Sequence, residues 1–212
     1  MEHSTISAEE AQRIISSSQG LNIPCLPRPV SHSNDIFKPV LESGSDGLIV
    51  TSVENIKQLE LIIKNFKYPP IGQRPFGVNR AQGYGHNTEE YYSNWNNSSS
   101  LIIQIENVEG LKNSEELIRN NNVDGVMVGP YDLSGSLGIP GDFKNKIYED
   151  ACKKIIRLSK KYKKSCGTQI ANISKDLINF NNKLGFNFIV LASDLFVLTD
   201  WAKNTNNIIK KL

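Results

Sequence analysis

Short apolar runs alternate along the chain with segments whose apolar residues recur every three to four positions. Ser7 to Ser17 is predicted helical: Ser7 with Glu10 makes a capping box, and Ala11, Ile14 and Ile15 form an apolar face. Ile23 to Pro29 reads as an extended segment fixed by Pro24, Pro27 and Pro29. A helix over Asp35–Glu42 must carry Pro39 in its first turn or kink there. Gly47-Leu48-Ile49-Val50 reads as a buried strand. Asn55 to Phe66 is amphipathic, with Ile56, Leu59, Ile62, Ile63 and Phe66 on one face. Tyr68 to His86 holds three prolines and four glycines and is expected to be a long irregular loop.

The second half repeats the alternation. Leu101–Glu106, Gly125–Gly129, Cys166–Ile170 and Phe188–Leu191 read as strands. Asn113–Arg119, Tyr148–Lys164, Asp176–Leu184 and Asp194–Leu212 read as helices. Ala151, Ile155, Leu158 and Tyr162 should point inward from the second of these. Counting the proline-rich segment, six extended runs appear, each followed by helix or loop. Near-continuous apolar strands of this kind mark a parallel sheet covered on both faces. Periodicity alone leaves a doubly wound sheet and a (β/α)8 barrel both open. Neither dinucleotide-binding nor phosphate-loop glycine motifs follow a strand.

Composition narrows the function. The 212 residues suit a single domain, residues 1–212. Lys and Arg number 24 against 22 Asp and Glu, so no nucleic-acid partner is expected. No apolar stretch is long enough for a membrane span, and Met-Glu-His-Ser does not read as a signal peptide. Cys25, Cys152 and Cys166 lack metal-ligand spacing and read as reduced thiols of a cytoplasmic protein.

In parallel α/β folds reactive residues gather at the carboxyl ends of strands. Gln104 and Glu106 end one run, and Pro130, Tyr131 and Asp132 follow another. Glu106 and Asp132, 26 residues apart, would sit on neighbouring strands at one rim. Two carboxylates there suit a hard divalent cation such as Mg²⁺. A solvated loop for Glu106 and a helix cap for Asp132 are the alternatives on spacing. Gly129-Pro130-Tyr131-Asp132 starts a candidate short helix whose free N–H groups would receive a carboxylate. Arg28 would clamp that carboxylate or lie on the surface between its prolines. His3, on position alone, belongs to a frayed end.

Several stretches taken together resemble the HpcH/HpaI aldolase family. They are Met1-Glu2-His3-Ser4, Leu26-Pro27-Arg28-Pro29, Tyr68-Pro69-Pro70 with Gly72 and Arg74, Arg80 to Gly85, Gln104-Ile105-Glu106, and Asp124 to Ser134. The resemblance implies a (β/α)8 TIM barrel of the phosphoenolpyruvate/pyruvate type. It implies a class II aldolase that makes or cleaves 4-hydroxy-2-oxo acids through a pyruvate enolate. Pyruvate and an aldehyde would be its partners, and Mg²⁺, Mn²⁺ or Co²⁺ its cofactor. Glu106 and Asp132 would bind the metal. Arg28, Gln104 and the Gly129–Pro130–Tyr131 backbone would bind substrate. His3 would move the proton, with Arg28 stabilising charge. Glu42 stands where the family has an aspartate paired with the histidine. A homo-oligomer, hexameric in many relatives with an exchanged C-terminal helix, is the implied assembly.

The chain also departs from that pattern. The family carries two strands ahead of the Glu-His element, so an amino-terminally truncated barrel with six visible strands is expected. Thr51 and Ser52 replace a usual Pro-Met, which would make the aldehyde rim more polar. Arg74 and Arg80 would contact substrate or a neighbouring subunit, or tie the glycine-rich loop to the barrel; the structural or interface reading is preferred. The rival functions are an acyl-CoA-type carbon–carbon lyase of the same superfamily and a non-catalytic barrel remnant active only in assembly.

Overall fold

A computed structural model describes residues 1–211. Five parallel strands form one sheet: β1 (Gly47–Val50), β2 (Ser100–Ile105), β3 (Gly125–Val128), β4 (Ser165–Ile170) and β5 (Phe188–Leu191). Their spatial order is their chain order. Every crossover therefore steps the same way, and the wall curls into a half-barrel. A doubly wound sheet would reverse direction at a switch point, and none occurs here.

The expected sixth strand is corrected to an extended flank. Ile23–Pro29 runs beside β1, and Ile49 N donates to the Pro27 carbonyl while Asp46 N donates to that of Cys25. Three prolines supply no N–H, so the segment cannot complete a ladder. Asp46 Oδ2 accepts from Cys25 N instead.

Among the described residues, ten α-helices surround the sheet: α1 (Ala8–Gly20), α2 (Asn34–Glu42), α3 (Ile56–Phe66), α4 (Thr88–Ser98), α5 (Val108–Lys112), α6 (Ser114–Ile118), α7 (Pro130–Ser136), α8 (Lys146–Lys161), α9 (Lys175–Leu184) and α10 (Asp194–Ile209). The Ser7–Glu10 capping box is formed. Pro39 lies inside α2, beyond its first turn. Gly185 ends α9 with φ 115°, a left-handed conformation that glycine adopts without a Cβ clash. Leu59, Ile62, Ile63 and Phe66 of α3 are buried, as its periodicity requires.

The core lies between β1–β3 and helices α2, α3 and α8. Leu48, Val50, Leu101, Ile103, Ile105, Val126 and Val128 are fully covered. Within the predicted loop, Arg80–Gly85 forms a short 3-10 segment. Arg80 donates through Nη1 to the Ser43 carbonyl and to Gln19, so it ties the loop to α1 and to the end of α2. Coverage thins toward the last strand. None of the α10 residues is buried, and Leu195, Phe196, Val197, Leu198 and Trp201 face outward. Among the described residues, no helix is long and apolar enough to cross a membrane.

Candidate active site

Side chains at successive odd or even positions of a strand share a face. At the end of β2 this brings Gln104 and Glu106 together: Gln104 Nε2 donates to Glu106 Oε2. The turn after β1 supplies the other donors. Ser52 takes φ 53°, unusual for a residue with a side chain, and both its N–H and its hydroxyl donate to Glu106 Oε1 at 2.7 Å. His32 Nε2 donates to the Thr51 carbonyl at 2.7 Å and steadies that turn.

The end of β3 closes the site from the other side. Gly129 needs its missing side chain for space. A Cβ there would lie 2.6 Å from Gln104 Nε2 and 2.7 Å from Glu106 Oε2. Pro130 opens α7, and no side chain caps that helix. The N–H groups of Tyr131 and Asp132 fall in its first turn, where no carbonyl four residues back is available. The Tyr131 ring itself is exposed and meets Phe143 edge-on.

The chain start completes the rim. Glu2 N donates to the Arg28 carbonyl at 3.2 Å. Glu2 Oε2 lies 3.1 Å from Arg28 Nε and 3.7 Å from His3 Nε2, so this carboxylate bridges the two. A cavity of about 260 Å³ is lined by Glu2, His3 and Ser52 on one side, and by Glu106, Asn107, Asp132 and Ser136 on the other.

Of the residues picked from the sequence, His3, Glu106 and Asp132 line this cavity. Gln104 and Gly129 touch Glu106, and Arg28 reaches the cavity wall through Glu2. Glu42 does not join them. Its carboxylate is buried and receives Arg74 Nη2 at 2.9 Å. The expected pairing of Glu42 with His3 is therefore corrected: the carboxylate within 4 Å of His3 belongs to Glu2. Sequence reasoning passed over Glu2 as a site residue and read Ser52 only as part of a more polar aldehyde rim. The signal for Glu2 was its place beside His3; for Ser52 it was a polar pair directly after a strand.

Burial pushes the Glu106 carboxyl above its ordinary pKa. The Ser52 hydrogen bonds oppose that shift, while the charges of Asp132 and Glu2 add to it. The carboxylates of Glu106, Asp132 and Glu2 share this cavity, and of the three Glu2 is paired with Arg28. Carboxylate oxygens beside room for water suit a hard divalent cation. Among the described residues no three His, Cys, Asp or Glu side chains gather into a closed metal cage. Any ion held here would leave most of its positions to water and substrate.

The sequence model of the HpcH/HpaI aldolase/citrate lyase family matches residues 2–200. The chain belongs to that family. Within it, the chain is 30% identical over 175 residues to 2-keto-3-deoxy-L-rhamnonate aldolase of Escherichia coli (strain K12), covering 82% of this chain. It spans 64% of the length of that relative. Among solved structures, an HpcH/HpaI aldolase from Desulfitobacterium hafniense DCB-2 superposes with a TM-score of 0.90 at 21% identity, covering 100% of this chain and 82% of the other. The citrate synthase SbnG gives 0.83 at 23%, over 100% and 82%. These two likenesses show the fold alone.

Proposed function

We propose that this chain forms the catalytic face of a divalent-metal-dependent aldolase that makes or cleaves 4-hydroxy-2-oxo acids through pyruvate. The observation that carries the proposal is Glu106: a buried carboxylate at a strand end, fixed by neutral donors, facing Asp132 across an open cavity. The same-direction winding of the sheet supports a (β/α)8 barrel as the complete architecture.

Glu106 and Asp132 would hold Mg²⁺, Mn²⁺ or Co²⁺. Gln104 fixes the free rotation of Glu106. The ion, when bound, supplies Lewis-acid stabilisation of the charge that develops on pyruvate as a methyl proton leaves. The N–H groups of Tyr131 and Asp132 receive the pyruvate carboxylate. Gly129 leaves room for the Gln104 and Glu106 side chains beside that site. Arg28, steered by Glu2, places positive charge beside the developing oxyanion. His3, whose side chain lines the cavity, moves the proton. We assign Glu42 to structure and not to catalysis, because Arg74 occupies its carboxylate. The exposed apolar face of α10 supports a homo-oligomer in which a second copy covers that helix.

The test is exchange of pyruvate methyl protons with D₂O, followed by NMR with Mn²⁺ or Mg²⁺ and with EDTA. It needs no knowledge of the aldehyde. Metal-dependent exchange that falls at least about 10³-fold in Glu106→Gln is expected. Exchange that is absent, or equal with and without metal in the folded 212-residue chain, overturns the proposal.

A further inference from the structure

A carboxylate offers about four lone-pair directions, two on each oxygen. In Glu106 three are already used. Oε1 accepts from the Ser52 N–H and the Ser52 hydroxyl, each at 2.7 Å. Oε2 accepts from Gln104 Nε2. One direction on Oε2 is left for anything outside the chain. The backbone bond and the strand neighbour belong to the fold. The hydroxyl is different: it is the one donor of the three that a single side-chain change removes without disturbing Gln104. Its direction depends on the left-handed turn at Ser52, with φ 53°, which aims N–H and hydroxyl at the same oxygen.

Cations differ in what they ask of a carboxylate. Ca²⁺ takes six to eight oxygens and readily accepts both oxygens of one carboxylate. Mg²⁺ and Mn²⁺ accept single oxygens and keep several waters. We infer that Ser52 is a selectivity residue: by saturating Oε1 it makes Glu106 a one-oxygen ligand and biases the site toward small six-coordinate cations and against Ca²⁺. The inference rests on the metal-dependent reading of this site. Ser52 is a positioning residue here, since it acts through Glu106 and touches no reacting atom.

The experiment measures dissociation constants for Mn²⁺ and, by competition, for Ca²⁺ in the wild-type chain, Ser52→Ala, Ser52→Gly and Glu106→Gln. No substrate or turnover is needed. Ser52→Gly relaxes the backbone at positive φ, so it guards against a variant that simply fails to fold. The expected result is a Ca²⁺-to-Mn²⁺ ratio that narrows about tenfold in both Ser52 variants, in line with the usual cost of losing an outer hydrogen bond to a ligand. A ratio within twofold of wild type in both variants overturns the role of Ser52 while Glu106→Gln still abolishes Mn²⁺ binding. If Glu106→Gln binds Mn²⁺ as tightly as wild type, the metal site itself is wrong, and Ser52 falls with it.

Discussion

Two glutamates are buried to almost the same degree, Glu42 at 6% and Glu106 at 8% exposure, yet their surroundings are opposite. Glu42 meets a full positive charge, Arg74 Nη2 at 2.9 Å. That guanidinium is itself packed against Trp95 at 4.5 Å and Tyr68 at 4.6 Å, with the Tyr91 hydroxyl accepting from Nη1. Glu106 meets only neutral donors, and burial raises its pKa. One carboxylate is neutralised by its own chain and ties the loop to the end of α2. The other is held by neutral donors alone at the edge of a cavity. A buried charge that the fold does not compensate marks the place where something from outside can do so.

Breaking the closed pair gives the largest effect. Glu42→Gln leaves the Arg74 charge buried without its partner, which costs about 3–5 kcal/mol. For a chain of this length that lowers the melting temperature by about 6–20 °C. The double variant Glu42→Leu with Arg74→Met removes both charges and should regain most of the loss. Thermal melts of Glu42→Gln and of the double variant check this. Mn²⁺ affinity of the refolded double variant should match wild type; a large fall would return Glu42 to the catalytic site.

Crowding the open carboxylate comes next. Gly129→Ala would put a methyl group within 2.7 Å of Gln104 Nε2 and Glu106 Oε2. The site must shift to admit it, and displacements near 1 Å cost about a hundredfold in rate. Pyruvate proton exchange should fall about that much, with a stability loss of about 1–3 kcal/mol from overpacking. Exchange at the wild-type rate would show that Glu106 can move without consequence.

The contrast between the two glutamates was only half legible in the sequence. Gln104, Glu106 and Asp132 were visible because each sits within a few residues of a strand end, where local pattern and site coincide. The pairing of Glu42 with Arg74 joins positions 32 apart, with β1 and α3 between them, which no periodicity encodes. Helix α4 left no trace either: Thr88–Ser98 is polar and aromatic throughout, and Trp95 is its single buried residue. The proline-rich flank looked like a strand because its residues are extended. Only its missing N–H groups kept it out of the ladder. Ser52 was noted as a polar rim residue, but its left-handed turn toward Glu106 needed coordinates.

The smallest effect concerns the cage around Arg74 and separates it from the cavity by pH. Burial raises the Tyr68 and Tyr91 hydroxyls above the ordinary phenol value, although the Arg74 charge pulls both down. In the unfolded chain each would titrate near about 10. A group whose pKa is raised by folding keeps the folded state more protonated than the unfolded one. Its stabilising share is therefore fully present below about pH 10 and is lost as pH rises above that value. Each such phenol adds a slope of up to about 1.4 kcal/mol per pH unit. Urea melts between pH 8 and pH 11 should thus show stability falling at the alkaline end. Tyr68→Phe with Tyr91→Phe should flatten that fall, even though the missing Arg74–Tyr91 hydrogen bond lowers stability at every pH. The flattening must appear without metal and be unaltered by Glu106→Gln, because the cage and the cavity draw on different carboxylates. An alkaline slope that the double phenylalanine variant leaves intact would place the titrating groups elsewhere and weaken the division between a closed structural pair and an open reactive one.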